Sequence, residues 1–370
     1  MVIDADAHIN EPEVIFTDYL EKPYAARRPV PLAHPNGTRY WLIEGQLVPR
    51  VAGPGPGTPH GFYPDTGRRR CRDCDLTNVP GRLQDMDEMG VDVQVIYPTT
   101  MLGVCFLEDA EVASALSRAY NTYLAERCAE APNRLKGAAV VALQDPLEAA
   151  KELRRAVTEL GLVGAVIPGL LGNRNLDDPS LFPFFEEADR LNTALGLHAV
   201  TGVYDTPGQE RFTSYFYAHV VAMPFNLMLG ALTLVGGGIL ERLPNVRFAF
   251  LETGAGWVPY WTWWMNEHYE KGVYRERPRR FLGREELPHL RQAPSVTLKS
   301  GRCYFSCELE EDSIPDVARA MGEGTLIFGS DYPHSDRDDE GLPHFRQRTD
   351  VPEALKQKIL GDNPARLYRL

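Results

Sequence analysis

Short, nearly continuous apolar runs alternate with longer stretches of helical period along this chain. The runs are MVIDADAH at the start, VDVQVIYP (91–98), KGAAVVALQ (136–144), LVGAVIPG (162–169), ALGLHAV (194–200), NVRFAFLE (245–252), RCYFSCE (302–308) and GTLIFGSD (324–331). A strand that is apolar on successive residues is buried on both faces, which is the habit of a parallel sheet covered by helices. Helical patterns lie between the runs, among them GRLQDMDEMG, DAEVASALSRAYNTYLAERCAE, DPLEAAKELRRAVTELG and FPFFEEADRLNT. Asp145-Pro146 opens one of them with a capping carboxylate and a proline at the first helical position. Eight strand–helix units predict a single (β/α)8 TIM barrel domain over 1–370, and no GxGxxG follows the first strand to favour a dinucleotide-binding sheet.

Residues 20–80 interrupt the alternation. HPNGTRYWLIEGQLV reads as a small hairpin, and the following PRVAGPGPGTPHGFYPDTGRRRCRDC is rich in Pro, Gly and Arg. An insertion after the first barrel strand falls at the C-terminal face, so 20–80 is expected to form a lid or substrate loop, with a disordered linker as the alternative.

The polar residues fall at the ends of the apolar runs. Asp6 and His8 close the first run, His198 the fifth, Glu252 the sixth and Asp331 the eighth. Residues i and i+2 of a strand share a face, so Asp6 and His8 can aim at one point. Barrel enzymes build their sites at this rim, and imidazoles with carboxylates suit a divalent cation of the zinc, manganese or iron(II) group. A metal-free polar cluster is the alternative.

Composition narrows the partners. Of 370 residues 44% are hydrophobic, ample for a large core, and the net charge of −12 disfavours nucleic acid and anionic membranes. No signal peptide or membrane span is expected, and the six scattered cysteines fit a reduced, cytoplasmic setting. Cys71 and Cys74 form a lone CxxC, without the second ligand pair that a structural zinc site wants. The Arg-rich stretch at 68–72 reads equally as an attractor of anionic substrate or as a solvated run.

IDADAHINEP, LHAV, RLPNVRFAFLETGAGWVPYW, LIFGSDYPHSD and ILGDNPARLYRL together resemble the metal-dependent amidohydrolase superfamily, in its aminocarboxymuconate-semialdehyde decarboxylase-like branch. The resemblance runs from residue 1 to 370 apart from the insertion. It implies a distorted barrel and one divalent metal, zinc foremost and manganese or iron as alternatives, held by Asp6, His8, His198 and Asp331. LVGAVIPGL carries no lysine where binuclear relatives need a carboxylated one. The chain departs from the pattern at FLETGAG, where Glu252 stands in the place of a proton-handling histidine. Glu252, Asp331 and His219 (in YFYAHVVAMPFNLML) are therefore the catalytic candidates, with a surface or core histidine as the alternative for His219. His334 is expected to support Asp331 or simply to lie on the loop, and Glu11 to fix its loop or to touch substrate.

The expected activity is a metal-dependent decarboxylation or hydrolysis of a small aromatic or cyclic carboxylic acid. The alternatives are hydrolysis of a C–N or C–O bond in an amide, lactam or lactone, and a non-catalytic binding barrel. The Trp-rich GWVPYWTWWMNEHYE, together with the resemblance, points to a homodimer.

Overall fold

The computed structural model describes residues 1–33, 39–48, 71–199, 206–212, 214–271, 280, 289–334, 337 and 340–370. Every apolar run became a parallel strand. The barrel strands are β1 (Ile3–Ile9), β5 (Val93–Pro98), β6 (Leu135–Val140), β7 (Gly164–Ile167), β8 (Ala194–Leu197), β9 (Arg247–Phe250), β10 (Cys303–Cys307) and β11 (Leu326–Phe328). They pair in chain order, each parallel to the next. This is the (β/α)8 barrel the pattern predicts, and β7 to β9 are buried along their whole length.

The ring closes between β11 and β1 by the residues just beyond the strand. The N–H of Asp331 donates to the Asp6 carbonyl (2.9 Å) and that of His8 to the Tyr332 carbonyl (2.6 Å). Buried Asp4 adds a side-chain link, accepting from the Ser330 N–H (2.8 Å), its hydroxyl (2.5 Å) and the Gln94 amide (3.0 Å). Fully buried Arg82 extends that network, donating to Gln94 Oε1 (2.7 Å) and to the His8 carbonyl (2.9 Å). The β1 register shifts between Asp4 and Ala7, the stretch that contains Asp6.

Three helices begin where a side chain satisfies their free backbone N–H groups. Helix α1 (Val79–Met89) is capped by Asn78 and stopped by Gly90 at φ 76°, a left-handed position that glycine takes without strain. Asp109 caps α2 (Ala110–Ala129), and Asp145 caps α3 (Pro146–Thr158) by accepting from Leu147 and Glu148, with Pro146 leading. Next come α4 (Phe182–Arg190), α5 (Tyr215–Gly236), α6 (Ile239–Arg242) and α7 (Val258–Glu270). Phe216–Gly236 is long and apolar enough to cross a membrane by length and composition, but 56% of that stretch is buried inside the protein.

Within the insertion, β2 (Val30–Ala33), β3 (Arg39–Ile43) and β4 (Gln46–Val48) form an antiparallel sheet. The expected hairpin is β3–β4, turning through Glu44 (φ 50°) and Gly45 (φ 78°), two consecutive left-handed residues that match the twist of the strands. The pairing of β2 with β3 adds a strand that the sequence pattern did not suggest. Trp41 packs edge-on against Phe16, with ring centroids 5.1 Å apart. Residues 34–38 and 49–70, most of the Pro/Gly-rich part, lie outside the described residues. Cys71 and Cys74 lie with their Cα atoms 5.8 Å apart, close enough for a disulfide.

Candidate metal centre

Five side chains from four strand ends converge at one point of the rim. Asp6 and His8 sit on β1, His198 directly follows β8, Glu252 lies two residues past β9 and Asp331 three past β11. Asp6, His8 and His198 are at most 2% exposed. From His8 Nε2 the distances are 3.4 Å to Asp6 Oδ1, 3.4 Å to Asp331 Oδ1 and 4.0 Å to Glu252 Oε2. From His198 Nε2 they are 2.9 Å to Glu252 Oε2 and 3.8 Å to Asp6 Oδ1.

Both imidazoles are oriented through their other nitrogen. His8 Nδ1 donates to the Pro98 carbonyl (2.8 Å) and His198 Nδ1 to the Ala199 carbonyl (2.6 Å). Such bonds fix the tautomer that offers Nε2 as a ligand. His8 Nε2 and Asp6 Oδ1 are buried and make no hydrogen bond. Burying unsatisfied polar atoms is costly, so two of them facing one point amid further donors fit a cation. Spacings of this size suit ligands that each stand roughly 2.1 Å from one centre.

Two overlapping sets have the reach to hold an ion: Asp6, His8, His198 and Glu252, or His8, Glu252, Asp331 and His334. Both need the single free nitrogen of His8, which serves one ion at a time. The geometry therefore favours one metal, in line with the missing lysine.

Electrostatics sort the site residues. Burial, helped by the nearby His198, pushes His8 down to about 3, so its ring is neutral. Burial also works against a charge on His198, but the Glu252 and Asp6 carboxylates outweigh it and raise His198 to about 9. Burial would raise Glu252, yet the charge and hydrogen bond of His198 hold it well below the usual range, so it is ionised. Asp6 is raised to about 7, chiefly by burial. A ligand must shed its proton before it binds a metal. At pH 7 His198 still carries one and Asp6 about half of one, so loading the metal-free protein is expected to release between about one and two protons per ion and to weaken as pH falls. Calorimetry in buffers of different ionisation enthalpy checks this; buffer-independent heats would contradict it.

Glu252 (φ 55°) and Asp331 (φ 56°) both have left-handed backbones, costly for residues other than glycine and typical of sites where neighbours hold the chain. The Glu252 N–H is anchored on Ser306 Oγ at 2.8 Å. His334 Nδ1 lies 2.5 Å from Asp331 Oδ1, the supporting contact expected of it. His219 lies on α5, half-buried and outside both sets. Asp336 and Asp338 lie outside the described residues.

Sequence reasoning passed over Glu308, the residue that follows β10. The rule that singled out Glu252 and Asp331, a polar residue ending an apolar run, applies equally to RCYFSCE. Glu308 still reaches solvent, and its carboxyl is raised by the surrounding protein and then by Glu310, Glu252, Glu311 and Asp6. Glu311 was missed as well. It accepts from the N–H groups of Glu308 (2.9 Å), Ala255 (2.9 Å) and Gly256 (3.1 Å), tying the loops after β9 and β10 together.

A (β/α)8 barrel with a histidine- and carboxylate-lined pocket at its C-terminal rim defines a metal-dependent barrel enzyme. The Amidohydrolase family model matches residues 3–370, and the chain belongs to that family. It is 26% identical over 291 residues to a 2-amino-3-carboxymuconate-6-semialdehyde decarboxylase of Dictyostelium discoideum, covering 76% of this chain and 74% of that one. It is 26% identical to a gamma-resorcylate decarboxylase of Rhodococcus jostii, covering 89% and 98%. The fold is also that of a 5-carboxyvanillate decarboxylase from Novosphingobium aromaticivorans, crystallised with manganese and 4-hydroxy-3-methoxy-5-nitrobenzoic acid. There the TM-score is 0.69 at 20% identity, covering 100% of this chain and 96% of that one.

Proposed function

We propose that this enzyme is a mononuclear metal-dependent decarboxylase of a small aromatic or enol-type carboxylic acid. The observation that carries the proposal is the pair of buried, unbonded atoms Asp6 Oδ1 and His8 Nε2, set beside His198 and Glu252, with Asp331 Oδ1 3.4 Å from His8 Nε2. Asp6, His8, His198 and Asp331 are the proposed ligands. Relatives across the superfamily branch decarboxylate such acids, which supports the substrate class. The mixed nitrogen and oxygen donors suit zinc or manganese, and the manganese in a structural neighbour supports the second.

When bound, the divalent ion supplies Lewis acidity toward a substrate oxygen. The residues of the chain supply the rest. In decarboxylation the bond from ring to carboxylate breaks, carbon dioxide leaves, and the electron pair left on the carbon takes a proton. Glu252, ionised beside the ligands, accepts a proton from solvent water and passes it to that carbon, so each turnover takes up one proton from solution. His219, on α5, is proposed as a second proton carrier. Glu252 also favours a second reading, because an ionised carboxylate in place of a histidine suits a general base for hydrolysis of an amide or lactone. Metal analysis, with carbon dioxide release from hydroxybenzoates and muconates and ring opening of cyclic amides, tests both. A metal-loaded protein that releases no carbon dioxide from any of these acids refutes decarboxylation.

The insertion is proposed to overhang the mouth. Its Arg27 pairs with Glu44 and, at 2.7 Å, with Asp109, which caps α2 beyond the C-terminal end of β5.

We further propose a homodimer through the outer faces of α5 and α7. Phe216 (69% exposed), Val220 (55%), Tyr260 (56%) and Trp263 (53%) leave a broad apolar surface. From Tyr215 to Gly236 there is no Lys, Arg, Asp or Glu, so α5 lacks the basic flank of a membrane-surface helix, and a second copy of this acidic chain offers the matching apolar face. Light scattering is expected to give twice the 41.4 kDa chain mass, and Val220→Glu with Trp263→Glu to give the monomer. A native protein that is monomeric at every concentration would contradict this.

A further inference from the structure

The loops after β1, β5 and β11 are joined by a hydrogen-bonded path that ends on a site carboxylate. Glu11 is 5% exposed, and its carboxylate turns onto the loop after β5. Its two oxygens accept from the N–H groups of Thr99, Thr100 and Met101, each at 2.9 Å. Thr99, itself 2% exposed, is thereby fixed in place. Its Oγ1 lies 2.9 Å from His334 Nε2, and His334 Nδ1 lies 2.5 Å from Asp331 Oδ1. That same Oδ1 is 3.4 Å from His8 Nε2, so it is the oxygen that faces the ion position.

The direction of the path follows from donor chemistry. An ionised carboxylate only accepts, so His334 Nδ1 carries the proton. When that imidazole is neutral it accepts at Nε2, and the Thr99 hydroxyl donates to it. The opposite tautomer would turn a lone pair toward the Asp331 carboxylate. The left-handed backbone of Asp331 also means that strand geometry alone does not aim this side chain; its partners do.

We propose that Thr99 is a positioning residue: held by Glu11, it fixes His334 in its Nδ1-protonated tautomer and so aims Asp331 Oδ1 at the metal. This rests on the reading of Asp331 as a ligand. Valine fills the volume of threonine and removes only the hydroxyl. In metal-free protein labelled with 15N-histidine, Thr99→Val is expected to move the His334 ring-nitrogen signals toward mixed tautomers, with His334→Gln assigning those signals. Manganese affinity, measured by competition with a chelator, is expected to fall roughly 10–100-fold, the usual effect of losing a group that orients a ligand. Thr99→Ser, which restores the hydroxyl, is expected to recover both. Native His334 signals or native metal affinity in Thr99→Val overturns the proposal. So does a Thr99→Ser protein that behaves like Thr99→Val, since packing would then be the cause. Should Thr99→Val fail to fold, Thr99→Ala is read by the same criteria. Substrate turnover enters neither measurement, so a protein that lacks decarboxylase activity leaves this result standing, and the reverse holds too.

Discussion

Glu252→Gln is expected to keep its metal and lose on the order of 10²–10⁴ in turnover, the usual cost of removing a general acid or base. The substitution keeps the length and planarity of the side chain. The backbone N–H bond to Ser306 Oγ and the left-handed conformation at 252 are properties of the main chain and survive it. What disappears is a group able to take up a proton. In the metal-free site Glu252 is ionised because the His198 charge outweighs burial, and a bound cation pulls in the same direction. It therefore meets the substrate ionised and as a weak base, so its proposed role is to relay a proton that it holds only transiently. Trp257 packs against Phe250 and Phe305, with ring centroids 6.2 and 5.9 Å away. Turnover and metal content must be read on the same preparation. Glu252 Oε2 lies within reach of the ion position, so loss of metal in Glu252→Gln would make it a ligand, and near-native turnover would remove it from the chemistry.

The barrel was legible because burial on both faces writes itself as consecutive apolar residues, and eight such runs leave few other architectures. Asp6, His8, His198, Glu252 and Asp331 were legible for a related reason: a polar residue that ends an apolar strand has one place to go in this fold, and the structure groups Asp6 and His198 with His8 and Glu252, and Asp331 with the same His8 and Glu252. The path from Glu11 through Thr99 and His334 was not legible. Its members belong to three loops, successive members lying 88 and 235 residues apart in sequence, and an isolated threonine after a strand carries no periodic signal. Asp4, Gln94 and Arg82 escaped for another reason. They sit within strands and a helix that pattern reading treats as core, and only the closure of the ring shows why polar groups are buried there. The β2–β3 pairing depends on contacts between short strands across a connecting segment, where local sequence says little about register.

His198→Ala is expected to lose the metal, and activity with it, while the barrel stays folded. His198 follows β8, above the core layer of Leu195 and Leu197, so the substitution removes a rim group and leaves the packed interior in place. A buried truncation of this kind typically costs about 1–3 kcal/mol, a modest fraction of what holds a large domain. The metal depends on the residue far more. His198 is one of two imidazoles in the donor set, and its Nε2 is already aimed by the Ala199 carbonyl. Losing a directly bound nitrogen is expected to exceed the roughly 10–100-fold penalty of losing a group that merely orients one. The variant also leaves Asp6 and Glu252 facing each other without the imidazolium between them, so its metal-free form is expected to bind protons more readily at these carboxylates. Elemental analysis and thermal unfolding of the two metal-free proteins check both halves of the prediction. A His198→Ala protein with native metal content shows that this imidazole is not a ligand, and one that fails to fold shows that the rim carries more of the stability than the core packing implies. With Glu252→Gln alongside, the two variants separate binding from chemistry: one is expected to lose the ion, the other to keep it and stop turning over.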